Sequence, residues 1–301
     1  MATQQDISRS YDWIDEVFRR GIGEHGDYTC AFYDGDYSKT LEQAQKDKHD
    51  YILRGISFKR GDRILDIGCG WGPIVKTVQD RGGKGVGLTL SGAQAQWCTK
   101  KGLDVRLQDY KTTDVKEIDT FDGVVSIGAF EHFCSKKEYE NGKQDEVYAE
   151  FFKFCSDVLP RGGRLYLQTM TWGKNVPDPK VFLQNHPEGS DEFHVGLALL
   201  FYPGSWPPSG LEQIKKCAEP YFTFTSTNNG RMDYIETLKQ WGKRMNGLPS
   251  WAVSMAKIKL LPKYLFDKEF RKQLKFLEYG SQAEIFKRNV FSHERMIFEK
   301  K

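Results

Sequence analysis

The chain has no apolar run approaching the roughly 18 residues that would read as a membrane span. It also has little excess charge, a formal +3 at pH 7, too small to argue for nucleic acid. Its six cysteines (30, 69, 98, 134, 155 and 217) form no Cys-x-x-Cys pair. That spacing speaks against a zinc site or a disulfide frame and for reduced, cytoplasmic thiols. Residues 1–10 are polar and lack the apolar centre of a signal peptide. Internal repeats and low-complexity tracts are absent too. What remains is an ordinary soluble composition in a chain of 301 residues, long enough for one elaborated domain or a domain with a cap.

The organising stretch is Arg63 to Gly72. Ile64, Leu65 and Ile67 make a short apolar strand, and glycines alternate at 68, 70 and 72. A helix is expected from Ile74 to Arg81, ended by Gly82-Gly83. Strand, glycine turn and helix form the nucleotide-cradling unit of doubly wound folds, although the glycine spacing alone is a weak signal. Further strands are expected at 83–90, 103–107, 121–127 and 164–171. Ser91 is placed to cap a helix over 92–101, and another helix is expected over 145–159. This alternation predicts an α/β, doubly wound parallel sheet, with ligands beyond the carboxyl ends of its strands.

Before the sheet, Ile7, Tyr11, Ile14 and Phe18 mark an amphipathic helix over 6–20, and Thr40 caps a second one to about Ile56. After it, residues 172–210 are rich in proline, glycine and aromatics and read as an excursion over the mouth of the sheet. Helices are expected over 233–245, with Ile235, Leu238, Trp241 and Met245 on one face, and over most of 263–289. A last strand is expected at 293–299. The second strand ends in Thr89-Leu90-Ser91 rather than in the acid that holds a dinucleotide's ribose. No Gly-Lys-Ser/Thr follows the glycine turn, which disfavours a phosphate cradle.

Three ordered motifs carry a resemblance: Leu65-Asp66-Ile67-Gly68-Cys69-Gly70-Trp71-Gly72, Gly87-Leu88-Thr89-Leu90-Ser91-x-x-Gln94, and Ser126-Ile127-Gly128-Ala129-Phe130-Glu131-His132-Phe133. With Tyr28 to Tyr33, Thr40 to Lys48, Tyr202-Pro203-Gly204 and Tyr234-x-x-Thr237-Leu238-x-x-Trp241, they resemble the cyclopropane fatty acid and mycolic acid cyclopropane synthases over nearly the whole chain. These are S-adenosylmethionine-dependent enzymes of the Rossmann-like, class I methyltransferase fold. The resemblance implies four stretches: a helical prefix over 1–60 covering the cofactor, a cofactor-binding core over 61–171, a cap excursion and late strand over 172–232, and C-terminal helices with the last strand of the same domain over 233–301.

It further implies that Gly68 and Gly70 let the methionine portion of the cofactor approach the main chain, and that Asp66 is a further cofactor contact. Thr89, Leu90 and Gln94 would take the ribose and adenosine region. Asp109 and Tyr110 would flank the adenine, with Ile127 packed on it, and Tyr28 and Thr29 would close over the sulfonium end. Ile127 as plain core and Tyr110 as a packing aromatic are the alternatives.

In the family a bicarbonate ion near a cysteine amide, a glutamate, a histidine and a tyrosine takes the proton released after methyl transfer. Cys30, Glu131 and Tyr234 match, although a buried cysteine that merely packs is an equal reading of Cys30. Gln168 stands where the family has histidine, and glutamine can donate to an anion but not carry its proton. His132 is a second candidate base or a helix-start histidine. Phe130, Tyr28 and Phe133 could stabilise a cation formed on an alkene, against plain core packing.

The implied reaction is methyl transfer to carbon, with an alkene in an acyl lipid as acceptor and a methyl-branched or cyclopropane product. The rival acceptor is a small amine or prenyl-type metabolite, because plant N-methyltransferases share the Phe-Glu-His pattern. Residues 134–144 are longer and more polar than the family's link, and either reshape the way in for the acceptor or form a solvated loop. Lys257, Lys259, Lys263, Lys268, Arg271, Lys272 and Lys275 crowd among Leu260, Leu261, Tyr264, Leu265 and Phe266. That segment is a solvated helix face or a weak contact with anionic membrane at the inner face.

Overall fold

In the computed structural model, residues 22, 23, 26–116, 118, 120–182, 184–278 and 280–301 are described; the helix expected over 6–20 lies outside them. Seven strands among these residues form one sheet: β1 (Arg63–Ile67), β2 (Lys84–Thr89), β3 (Asp104–Leu107), β4 (Gly123–Ile127), β5 (Arg164–Trp172), β6 (Phe222–Asn229) and β7 (Phe291–Lys300). Their spatial order is β3-β2-β1-β4-β5-β7-β6. Strands β1 to β5 run parallel, and β7 lies antiparallel between β5 and β6. The central strands are buried on both faces, as their near-continuous apolar runs require.

The order reverses at β1, whose carboxyl end meets the glycine turn. That is the position where doubly wound sheets bind ligands. Helix Pro73–Asp80 leaves this turn with proline at its start, and helix Gly92–Lys100 leaves β2 with Ser91 Oγ accepting from Gln94 N at 3.3 Å. Thr40 Oγ1 accepts from Gln43 N to cap helix Leu41–Gly55.

The cap differs from expectation in several places. Residues 134–144 contain a short helix, Lys136–Glu140, held by a reciprocal Ser135–Glu138 capping box. Its Tyr139 stacks on Trp206 at 4.5 Å, so the stretch is anchored to the cap. Helix Arg231–Asn246 turns Tyr234, Thr237 and Trp241 inward together with Asp233 and Glu236, while Ile235, Leu238 and Met245 are half-buried. The polar inward stripe has distant partners: Asp233 pairs with the buried Arg295 of β7 at 3.0 Å. The C-terminal region holds three helices, Ser250–Phe266, Lys268–Glu278 and Ser281–Lys287, the first of them starting at Ser250, 13 residues before the expected 263. Helices Lys268–Glu278 and Ser281–Lys287 pack on helix Asp191–Phe201 of the excursion. No described helix is long and apolar enough to cross a membrane.

Candidate active site

A cleft opens beyond the carboxyl ends of β1, β2 and β4, with about 1020 Å³ of empty space when the open solvent at its mouth is included. Every residue named above as a cofactor contact lines it: Tyr28, Thr29, Asp66, Gly68, Gly70, Thr89, Leu90, Gln94, Asp109, Tyr110 and Ile127. Two of its glycines do different work. Gly68, at φ +79°, would bring an added Cβ to 2.3 Å from Ala129 Cβ, so its role is close packing of β1 against the β4 turn. Gly70, at φ +55°, would meet nothing nearer than Gln94 Nε2 at 3.9 Å. A side chain there would instead occupy the cleft, which leaves the backbone open to a ligand.

The far wall is polar and ordered. Thr89 Oγ1 donates to Gln94 Oε1 at 2.7 Å and accepts from Ser91 N at 3.2 Å. Asp109 Oδ1 accepts from Lys111 N at 3.0 Å, starting the short turn that carries Tyr110. Tyr110 is both a cleft wall and a packing aromatic, with the Phe133, Phe151 and Phe154 rings 4.8–5.6 Å away. Burial and the neighbouring Asp27 charge push the Asp66 carboxyl up to about 8, against the pull of Lys48.

A buried network holds the segment that forms the near wall. Lys48 Nζ bonds Asp27 Oδ1 at 3.0 Å and Thr29 Oγ1 at 2.7 Å, and His49 Nε2 meets Asp27 Oδ2 at 2.8 Å. Burial would raise the Asp27 carboxyl, but Lys48 and His49 outweigh it and hold it far below the usual carboxylate range. Sequence reasoning missed this network, although Lys48 was within the matched prefix.

A second, apolar recess adjoins the cleft, lined by Glu131, His132, Met170, Ala198, Leu199, Tyr202, Ser205, Pro207 and Phe291. His132 belongs to both cavities. Glu131 Oε2 accepts from Thr169 Oγ1 at 2.7 Å. Burial pushes its carboxyl up to about 7, partly offset by that bond and by backbone N–H donors. Burial also pushes His132 down to about 4, leaving it neutral at pH 7, with Nδ1 2.6 Å from Ser205 Oγ.

Cys30, Gln168 and Tyr234 line neither cavity. Gln168 Nε2 donates to Cys30 O at 3.3 Å, and its Oε1 accepts from Tyr166 OH at 2.9 Å. Arg295 Nη2 donates to Cys30 Sγ at 3.2 Å, and Gln282 Nε2 donates to Tyr234 OH at 3.3 Å. Tied to these internal partners and lining neither cavity, Cys30, Gln168 and Tyr234 do not present a bicarbonate site to the cleft or the recess. Phe130 is likewise absent from both cavities and stacks on Tyr148 at 4.3 Å in the core. Phe133 packs beside it and reaches the cleft.

The donor set fits S-adenosylmethionine. An open glycine backbone suits its amino-acid end and a Thr–Gln pair its ribose hydroxyls. A buried carboxyl suits its positive charge, and Tyr110 and Ile127 offer flat apolar walls for its purine. The family model for mycolic acid cyclopropane synthetase matches residues 1–270. Cyclopropane mycolic acid synthase 2 of Mycobacterium leprae (strain TN) is 29% identical over 267 residues, covering 83% of this chain and 82% of that protein. The crystal structure of mycolic acid cyclopropane synthase CmaA1 complexed with SAH and CTAB superposes with a TM-score of 0.76 at 25% identity, covering 99% of this chain and 98% of that one. Coclaurine N-methyltransferase shares the fold, with a TM-score of 0.75 at 18% identity, over 99% of this chain and 82% of that one. The chain belongs to the mycolic acid cyclopropane synthetase family and is an S-adenosylmethionine-dependent methyltransferase.

Proposed function

We propose that this enzyme methylates an alkene carbon in an acyl lipid, giving a methyl-branched or cyclopropane product, and works in the cytoplasm as a peripheral partner of the inner membrane face. The observation that carries the reading is the ionisable Glu131 buried in the wall of an apolar recess that shares His132 with the cofactor cleft. An apolar recess suits an acyl chain, and the relatives' names point to lipid acceptors.

Bound S-adenosylmethionine supplies an electrophilic methyl group. In that transfer the alkene's π electrons would take the methyl carbon, the S–C bond would break with neutral S-adenosylhomocysteine as leaving group, and the adjacent alkene carbon would be left cationic. Glu131, as carboxylate, takes the proton whose loss closes the product. A base of pKa about 7 is matched to that task at neutral pH. Thr169 fixes the carboxylate's orientation, and neutral His132 is held by Ser205. Cys30, Gln168 and Tyr234 act behind this wall as positioning groups, tying β5, the Tyr28 segment and helix Arg231–Asn246 together.

The test compares S-adenosylhomocysteine formation with an unsaturated phospholipid and with its saturated counterpart. Turnover is expected with the unsaturated lipid alone. Equal rates with both, or turnover only with a small amine, would overturn the acyl-alkene reading.

A further inference from the structure

Helix Ser250–Phe266 carries its large apolar side chains on the outside. At about 100° per residue, Trp251, Met255, Ile258, Leu261, Leu265 and Phe266 fall on one stripe, and they are 50–88% exposed. The opposite side, Val253, Ala256 and Leu260, is half-buried, and Leu260 packs on the core. A helix on a soluble surface has the reverse arrangement. Lys257 and Lys259 lie on the two flanks of the apolar stripe, and the helix contains no Asp or Glu. It is not long and apolar enough to span a bilayer.

We propose that this face docks the enzyme on an anionic lipid surface, with the stripe in the headgroup–acyl boundary and the flanking lysines among the headgroups. The proposal rests on the acyl-lipid reading above and names the surface through which that acceptor is met. A second copy of the chain is the poorer occupant. A two-fold contact would set Lys257 and Lys259 against their own equivalents, with no acidic residue on the helix to answer them. Anionic headgroups are of the sign that complements a helix carrying lysine and no acidic residue.

The docking helix also connects to the site. Lys263 Nζ lies 5.3 Å from the Phe270 ring centroid in the next helix, Lys268–Glu278. In that helix the buried Phe276 lies 4.6 Å from Phe201 and 6.1 Å from Tyr202. Tyr202 lines the recess that holds Glu131. Helix Lys268–Glu278 therefore touches the lipid-facing helix through Phe270 and the wall of the acceptor recess through Phe276.

The experiment is flotation of the full chain with phosphatidylcholine vesicles and with vesicles that also contain phosphatidylglycerol. The parent is expected to float with the anionic vesicles only, and less as salt rises. Ile258→Glu/Leu265→Glu and Lys257→Gln/Lys259→Gln should each lower the bound fraction about tenfold or more. These side chains face solvent, so melting temperature and cofactor affinity should stay at parental values, which separates lost docking from misfolding. No flotation of the parent, or flotation that neither double variant changes, would overturn the proposal. Sedimentation as a dimer that Ile258→Glu dissolves, without vesicle binding, would assign the face to a second copy instead. Turnover on detergent-dispersed unsaturated lipid reports on the acceptor reading separately, because the face variants should match the parent there.

Discussion

At the residue scale the proposed function rests on two buried carboxyls, Glu131 and Asp66. Glu131 is pushed up to about 7 by burial, from an ordinary value near 4.3 in the unfolded chain. The folded state therefore holds a proton that the unfolded state has released. Glu131 adds stability below the unfolded value, and this is lost as pH rises through about 7. The ionised base costs the fold about 4 kcal/mol. Glu131→Gln should therefore melt higher than the parent at pH 8 and close to it at pH 4. It should keep cofactor binding and lose about 10²–10⁴-fold in turnover, the scale of a lost acid–base group. Parental activity should rise through about pH 7, and that limb should vanish in the variant. Turnover within a few-fold of parent at every pH would remove Glu131 from the mechanism.

Asp66 gives a second residue-scale expectation. Its carboxyl, at about 8, is mostly protonated at pH 7. The cofactor's positive charge favours the ionised form, so binding should release close to one proton. Calorimetry in two buffers of different ionisation enthalpy measures this directly, and Asp66→Asn should abolish the buffer dependence. Equal heats for the parent in both buffers would contradict the placement of the cationic end near Asp66.

At the element scale, the Tyr28 segment is held to helix Leu41–Gly55 by charges buried at 0–3% exposure. Removing one partner of such a pair strands the other, at about 3–5 kcal/mol. Lys48→Met should cost that much in denaturant unfolding and weaken cofactor binding, because Thr29 loses its donor. Asp27→Asn should cost a similar amount, since it leaves the Lys48 ammonium buried without its carboxylate. Asp27 is stabilising while ionised, above its unfolded value. That contribution should persist at neutral pH and be lost only in strong acid, as pH falls toward its depressed folded value.

The elements legible from sequence were those with local signals. β1, the Ser91 and Thr40 caps and the alternation that gives a parallel sheet follow from apolar runs and capping residues, which need no distant partner. The residues expected to hold the cofactor came from the family motifs rather than from local signals, and the fold brings them to one cleft. The Asp27–Lys48–His49 network and the inward Asp233 of helix Arg231–Asn246 were not. Their burial depends on partners brought together by the fold, such as Arg295 for Asp233. Helix Ser250–Phe266 defeated the periodicity argument differently, because its apolar stripe faces away from the core.

At the scale of the whole molecule, the sheet fixes one cavity at the point where its strand order reverses, and the cap adds an apolar recess beside it. The division into prefix, core, excursion and C-terminal helices is our proposal for how those parts share the work. It places Glu131 at the seam, and the central claim is that carbon at an acyl double bond meets the cofactor's methyl there. The most direct measurement incubates the enzyme with methyl-labelled S-adenosylmethionine in a mixture of unsaturated lipid and small amines, then locates the label by mass spectrometry. The account predicts label in the acyl chain, as a methyl branch or cyclopropane carbon at the position of the former double bond. Label confined to a soluble amine, with the acyl chains unchanged, would contradict it.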